Sequence, residues 1–228
     1  MQSLKDKINN TRSSIIAIGF KPNANQVTIL GSGFCVGKHG EILSAFHLSA
    51  KLTDEQKAGL LGMAMVKHDQ ELETYSWLPL EIVMTNEKND LAVLRMKDYE
   101  KTLLKPLELD DSEKVEVGDE AYFIGFPYAA QLINDGFGIT LIVNRTMISN
   151  IKRDGVDRNH PRNWLIVDAI SNPGNSGCPV ISTETNKVIG VMTIAFRTKS
   201  KTLQELDIRE PMHIAGARPI NLAKSLLK

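Results

Sequence analysis

Apolar residues recur along the chain in short runs broken by Gly, Asn, Asp and Lys, a pattern of strands and turns rather than of long helices. A polar opening segment, residues 3–11 (SLKDKINNT), predicts one short helix, after which Ser14–Phe20 turns apolar and rich in β-branched residues. Further strands are predicted at Gln26–Val36, Glu41–Ala45, Gly62–Lys67, Leu80–Thr85 and Leu91–Met96, which makes a first all-β half. Thr53 and Gln56 have the spacing of a capping box and predict a helical turn within Thr53–Leu61. The acidic, turn-rich stretch Lys105–Gly118 reads as a linker. A second series of strands follows at Glu120–Gly125, Gly138–Ser149, Trp164–Ala169, Cys178–Ser182, Lys187–Phe196 and Met212–Ala215. Many of these runs are almost wholly apolar, as in a barrel wall. Pro219 and the following INLAKSLLK predict a closing amphipathic helix. The expected fold is therefore all-β, two antiparallel six-stranded barrels with a C-terminal helix. It forms one domain over residues 1–228: a barrel over about 13–104, a linker over 105–118, a second barrel over 119–217 and the helix over 218–228.

Bulk composition narrows the partners. At 228 residues, 42% of them hydrophobic, the chain can bury a full core. Lys and Arg number 27, as do Asp and Glu, so no net field favours nucleic acid or an acidic membrane, and neither is expected as a partner. Two cysteines, Cys35 and Cys178, are too few for a disulfide framework and suit a reducing, cytoplasmic location. The opening MQSLKDKINNTRSSIIAIGF lacks the long apolar core of a signal peptide, and no run is long enough to span a bilayer. His39, His68, His160 and His213 lack the close Cys/His pairing of a zinc site, so they read as surface or structural, and neither metal nor cofactor is expected.

The most informative segment is Asp168–Val180, DAISNPGNSGCPV, which sets Ser176 in a Pro-Gly-Asn-Ser-Gly turn. Glycines on both sides allow a tight bend that presents a hydroxyl outward and aims successive N–H groups at one point. A serine hydroxyl needs a base to take its proton and a carboxylate to hold that base. His47, at the end of GSGFCVGKHGEILSAFHLS, supplies an imidazole at a strand end, and Asp90, opening NDLAVLRM, a carboxylate just before a buried strand. Taken singly, each has a plain structural reading: an ordinary turn, a satisfied histidine, a strand-edge carboxylate. The order His, Asp, Ser, with the first two in one half and the third in the other, sets them in a cleft between barrels.

These segments resemble those of the trypsin-like (chymotrypsin-fold) serine peptidases, and specifically the protease domain of the HtrA/Deg branch. VEVGDEAYFIGFP, VIGVMTIAF and ARPINLAKSLL add to the likeness, which runs from about Ser14 to the C-terminus. The resemblance implies a peptide-hydrolysing enzyme with His47, Asp90 and Ser176 as its triad and the backbone N–H groups of Gly174 and Ser176 as its oxyanion hole. It implies that Met192, Thr193, Ile194 and Ala195 form an edge that pairs with an extended protein or peptide substrate. It puts Ile170 where basic-specific relatives carry an aspartate, so small or medium apolar residues are expected before the cut.

The sequence also departs from that family. Cys178 stands where the family usually has a second glycine, and Leu48 where digestive relatives have a cysteine. Asn175 replaces the aspartate that pairs with a new N-terminus in zymogen-type relatives. With no PDZ domain after Lys228 and no anchor before residue 1, the branch's cage-forming quality-control role is not expected. A disulfide between Cys35 and Cys178 requires their strands to meet, and Asp168 is either near the pocket or a structural hydrogen-bond acceptor. The polar loops Asn150–Asn163 and Arg197–Glu210 read as solvated faces first and regulatory elements second. Two other functions stay open: a catalytically inactive peptide-binding module on the same fold, and a narrow peptidase activated by a regulatory protein partner.

Overall fold

The computed structural model describes residues 2–23, 26–67, 73–153, 163–199 and 209–227. Within them, β1 (Ile15–Asn23), β2 (Gln26–Cys35), β3 (Glu41–Ser44), β4 (Leu60–Lys67), β5 (Glu73–Asn86) and β6 (Leu91–Met96) close into one antiparallel barrel, in the order β1-β2-β3-β6-β5-β4. A second barrel holds β7 (Glu120–Gly125), β8 (Ile142–Lys152), β9 (Trp164–Val167), β10 (Pro179–Ser182), β11 (Val188–Lys199) and β12 (Arg209–Pro219), in the order β7-β8-β9-β12-β11-β10. The two connectivities are the same.

The apolar runs have a direct physical reason. Successive side chains of a strand point to opposite faces, and here both faces of several strands are covered. Along β1, Ile16, Ile18 and Phe20 fill the first barrel, whereas Ile15 and Ala17 face the second. Along β7, Ala121 and Phe123 fill the second barrel, whereas Tyr122 and Ile124 join Ile15 and Phe34 in a cluster shared by both barrels. That shared cluster fixes the relative placement of the barrels and so the cleft between them.

The first helix, α1 (Leu4–Arg12), begins on the predicted polar segment, with Ser3 and Asp6 forming a capping box. Although it precedes the first barrel, it docks on the second. The Lys7 ammonium donates to the carbonyls of Thr183 and Glu184, and Thr11 Oγ1 lies 3.0 Å from the Tyr122 hydroxyl. The connector between barrels is also tied down: Leu107 N donates to Cys35 O at 2.9 Å, and Val188 N to Glu108 O at 2.8 Å.

Several elements differ from the sequence expectation. β5 begins at Glu73 and continues through Pro79, which lies opposite Leu61 of β4 just before pairing with β6 starts at Leu80. β11 and β12 extend past the barrel as a ribbon that pairs Arg197 with Pro211 and Lys199 with Arg209. Ala129–Asn134 forms a short helix in a stretch for which the sequence predicts no element. The predicted C-terminal helix is replaced by a single 3₁₀ turn, Ile220–Leu222, followed by further turns. Ile220 and Ala223 enter the shared cluster while Leu222, Leu226 and Leu227 pack around it, so apolar contacts surround the segment instead of lining one helical stripe. Among the described residues no helix is long and apolar enough to cross a membrane.

Candidate active site

His47 is the first residue of α2 (His47–Ala50), a single helical turn that follows β3, and not the end of a strand. Asp90 caps the 3₁₀ turn Glu87–Asn89 with a left-handed backbone, φ 53°, a conformation that aspartate tolerates better than most residues. From there it is bound to the histidine segment through three groups. Its carbonyl accepts Phe46 N at 3.2 Å, one carboxylate oxygen accepts His47 N at 2.8 Å, and the other lies 2.8 Å from His47 Nδ1. The imidazole is thereby oriented with Nε2 free of this contact. The His47 side chain is 43% exposed and that of Asp90 23%, so the ring is reachable and the carboxylate is shielded behind it.

Ser176 comes to this place from the second barrel. Its carbonyl accepts Ser32 N at 2.8 Å, and that carbonyl and the Leu48 side chain flank the bare Cα of Gly31. The neighbouring Gly177 packs against Ala45 N and Ser44 Oγ. The serine turn is thus seated on the strand pair β2–β3 that leads into His47.

The backbone of the turn has a definite pattern. Asn175 N donates to Asn172 O, Gly177 N to Met192 O and Cys178 N to Asn175 O. The N–H groups of Gly174 and Ser176 donate to no group of the described residues. The carbonyls that share their peptide planes are both held: Pro173 O accepts Tyr128 N at 2.7 Å, and Asn175 O accepts Cys178 N at 3.0 Å. A trans peptide points its N–H opposite its C=O, so holding the carbonyl aims the donor.

Of the edge residues, Met192 is engaged elsewhere: its side chain is fully buried in the second barrel, and its N and O pair with Cys178 and Gly177. Beyond it, β11 outruns β10, whose pairing stops at Val191. Among the described residues, Thr193–Lys199 therefore pairs only with β12, leaving its other edge open. Thr193 is buried, Ile194 exposed and Ala195 half-buried. Ile170 is half-buried in the approach to the serine turn.

Asp168 has a structural role: one carboxylate oxygen accepts Met147 N at 2.7 Å and Thr146 Oγ1 at 2.9 Å. The Met147 amide, followed by the Thr146 hydroxyl, holds its carboxyl below the usual range. Cys35 and Cys178 are free and buried in the interiors of different barrels. Burial raises both thiols, Cys35 to about 11, and disfavours their reactive thiolates. His39 and His213 lie away from any cluster of metal-binding side chains among the described residues, while His68 and His160 fall outside them.

A family model for the trypsin-like peptidase domain matches residues 31–191, from the glycines of β2 through the serine turn to β11. The chain belongs to the trypsin-like peptidase family. This trypsin-like peptidase is 32% identical over 171 residues to Protease Do-like 5, chloroplastic, of Arabidopsis thaliana, an alignment covering 74% of this chain and 49% of the relative. It is 31% identical over 201 residues to the probable periplasmic serine endoprotease DegP-like of Rickettsia conorii, covering 87% of this chain and 33% of the relative. It therefore spans half or less of the length of these relatives. Among solved structures, the HtrA-type protease AlgW with decapeptide aligns at a TM-score of 0.70 and 21% identity, over 99% of this chain and 66% of the other. At that identity the likeness concerns the fold.

The motif reading passed over Ser32, Ser44 and Tyr128, the groups that support the serine turn. Ser32 alone carried a signal in the sequence, a hydroxyl between two glycines, Gly31-Ser32-Gly33.

Proposed function

We propose that this trypsin-like peptidase is a serine endopeptidase acting through an acyl-enzyme. The 2.8 Å contact of His47 Nδ1 with the Asp90 carboxylate carries the reading, because it sets the tautomer a general base requires. Ser176 attacks the peptide carbonyl, His47 takes its proton and returns it to the leaving amine, and Asp90 stabilises the imidazolium between. The uncommitted N–H groups of Gly174 and Ser176 receive the oxyanion. The open edge from Thr193 to Ala195 pairs with an extended protein or peptide substrate, with Met192 supporting it from the core. The test is reaction with a fluorophosphonate: Ser176 should be labelled, and a folded protein that does not react belongs instead to the class of inactive peptide-binding modules.

Ile170 supports an apolar primary pocket, since an aliphatic wall cannot neutralise a buried lysine or arginine. Substrates with Val, Ala, Leu or Met before the cut are expected to exceed those with Lys or Arg by at least about tenfold in kcat/KM. A peptide-library digest dominated by cleavage after Lys or Arg would contradict this.

The fully buried Asn175 offers no charge to a new N-terminus. A tag fused before Met1 should therefore leave activity within about threefold of the untagged protein, under ~1 kcal/mol in barrier. Activity that appears only after N-terminal trimming would reveal a zymogen switch. Regulation by a protein partner would act by ordering loops around the site, residues 132–138, where Ile133 and Phe137 are exposed, and the Arg197–Glu210 segment of the β11–β12 ribbon. The two buried, unpaired thiols suit a cytoplasmic location.

A further inference from the structure

The serine turn is held by a residue of the other barrel. The polar groups of Ser32 make four hydrogen bonds, and three of these hold the serine turn or the Phe126–Tyr128 segment packed against it. Its N–H donates to Ser176 O at 2.8 Å, its hydroxyl donates to Gly174 O at 2.7 Å, and the same oxygen accepts Phe126 N at 2.9 Å. The fourth, its carbonyl, accepts Ser44 Oγ at 2.7 Å. Ser32 is fully buried, so no solvent replaces these bonds.

We infer that Ser32 is a positioning residue for the oxyanion hole, an inference that rests on the peptidase reading above. Gly174 joins two peptide planes. One carries its own N–H and is fixed by Tyr128 N on Pro173 O; the other carries its carbonyl and is fixed by the Ser32 hydroxyl. Gly174 sits at φ 99° and has no side chain to restrict rotation, so these two bonds set its conformation. Without the hydroxyl, Gly174 O and Phe126 N become buried and unpaired, a cost that rotation of the Gly174–Asn175 peptide would relieve. That rotation breaks the Asn175 N bond to Asn172 O and so loosens the turn that carries both oxyanion donors. Phe126 is two residues from Tyr128, so the same hydroxyl also steadies the segment that aims the Gly174 N–H. His47 and Asp90 are untouched by this change.

The test compares wild type with Ser32→Ala, Ser176→Ala and Ser112→Ala. Ser112 is a buried serine whose hydroxyl accepts Asn221 N at 3.1 Å outside the site, and it controls for the loss of a buried hydroxyl. The probes are a fluorophosphonate and a fluorogenic peptide with an apolar residue before the cut. Removing an oxyanion donor costs about 10²–10³ in kcat, and a residue acting through one donor should cost somewhat less. Ser32→Ala is thus expected to slow both labelling and kcat by about ten- to a hundredfold, with KM within about threefold and the pH midpoint unmoved. Ser112→Ala should stay within about twofold of wild type. A folded Ser32→Ala with wild-type rates, a loss confined to KM, or an equal loss in Ser112→Ala would overturn the inference. If near-UV circular dichroism shows that the alanine variant is unfolded, Ser32→Cys, which fills similar space with a weaker donor, carries the same comparison. A wild-type protein that resists labelling overturns the peptidase reading itself, and this inference with it.

Discussion

Replacing Ser176 by alanine is expected to lower peptide turnover by on the order of a million-fold, because members of such a triad act as a unit. The fold should hardly register the change. The bonds that seat the turn use the Ser176 carbonyl and its neighbours' backbone, none of which alanine removes. Thermal unfolding should stay within about 0.5 kcal/mol of wild type, as for substitutions that touch no packing feature. Parallel measurements of turnover and melting decide the matter: a purified variant that cleaves at the original rate would remove Ser176 from the mechanism.

The second large effect is structural. Gly177 has φ 85°, and a Cβ there would stand 2.1 Å from Ser32 O and 2.3 Å from Ser44 Oγ. The serine hydroxyl could rotate away, but the strand carbonyl cannot. A left-handed backbone costs a residue with a side chain roughly 1–2 kcal/mol, and forced overpacking about 1–3 kcal/mol more. Gly177→Ala should therefore lose about 3 kcal/mol or more of stability, a large part of the ~5–15 kcal/mol that a domain has. Peptidase activity should fall with it, since the shift lifts Ser176 off β2. Urea unfolding measures this directly, and a midpoint equal to wild type would mean that the turn can move without strain.

These expectations show what could be read from the sequence and what could not. His47, Asp90 and Ser176 stood out jointly, because three strings that each have a plain reading alone occur in the order His, Asp, Ser and together resemble one family's motifs. The strands β6 and β7 were legible to the residue, since each is an apolar run bounded by turn residues. The helix Ala129–Asn134 was missed because six residues give too few turns for a helical period to emerge, and its start depends on a left-handed Tyr128 that no propensity favours. The early start of β5 was hidden by Pro79, which usually argues against a central strand. The closing helix failed for a tertiary reason, the shared cluster drawing Ile220 and Ala223 inward. The supports of the serine turn were the least visible, because Ser32 and Gly174 make their bond across 142 residues of chain and neither segment announces the other.

That separation also bears on biosynthesis. Chains leave the ribosome at about 5–20 residues per second, so Gly174 follows Ser32 by roughly 7–30 s. Once Met96, the last residue of the first barrel, has been made, Ser176 is still roughly 4–16 s away, and in that interval the nascent first barrel holds His47 and Asp90 without the serine turn. On the peptidase reading proposed above, peptide cleavage would be withheld until Ser176 has emerged and docked, and a product that stops before it would be inert toward its neighbours.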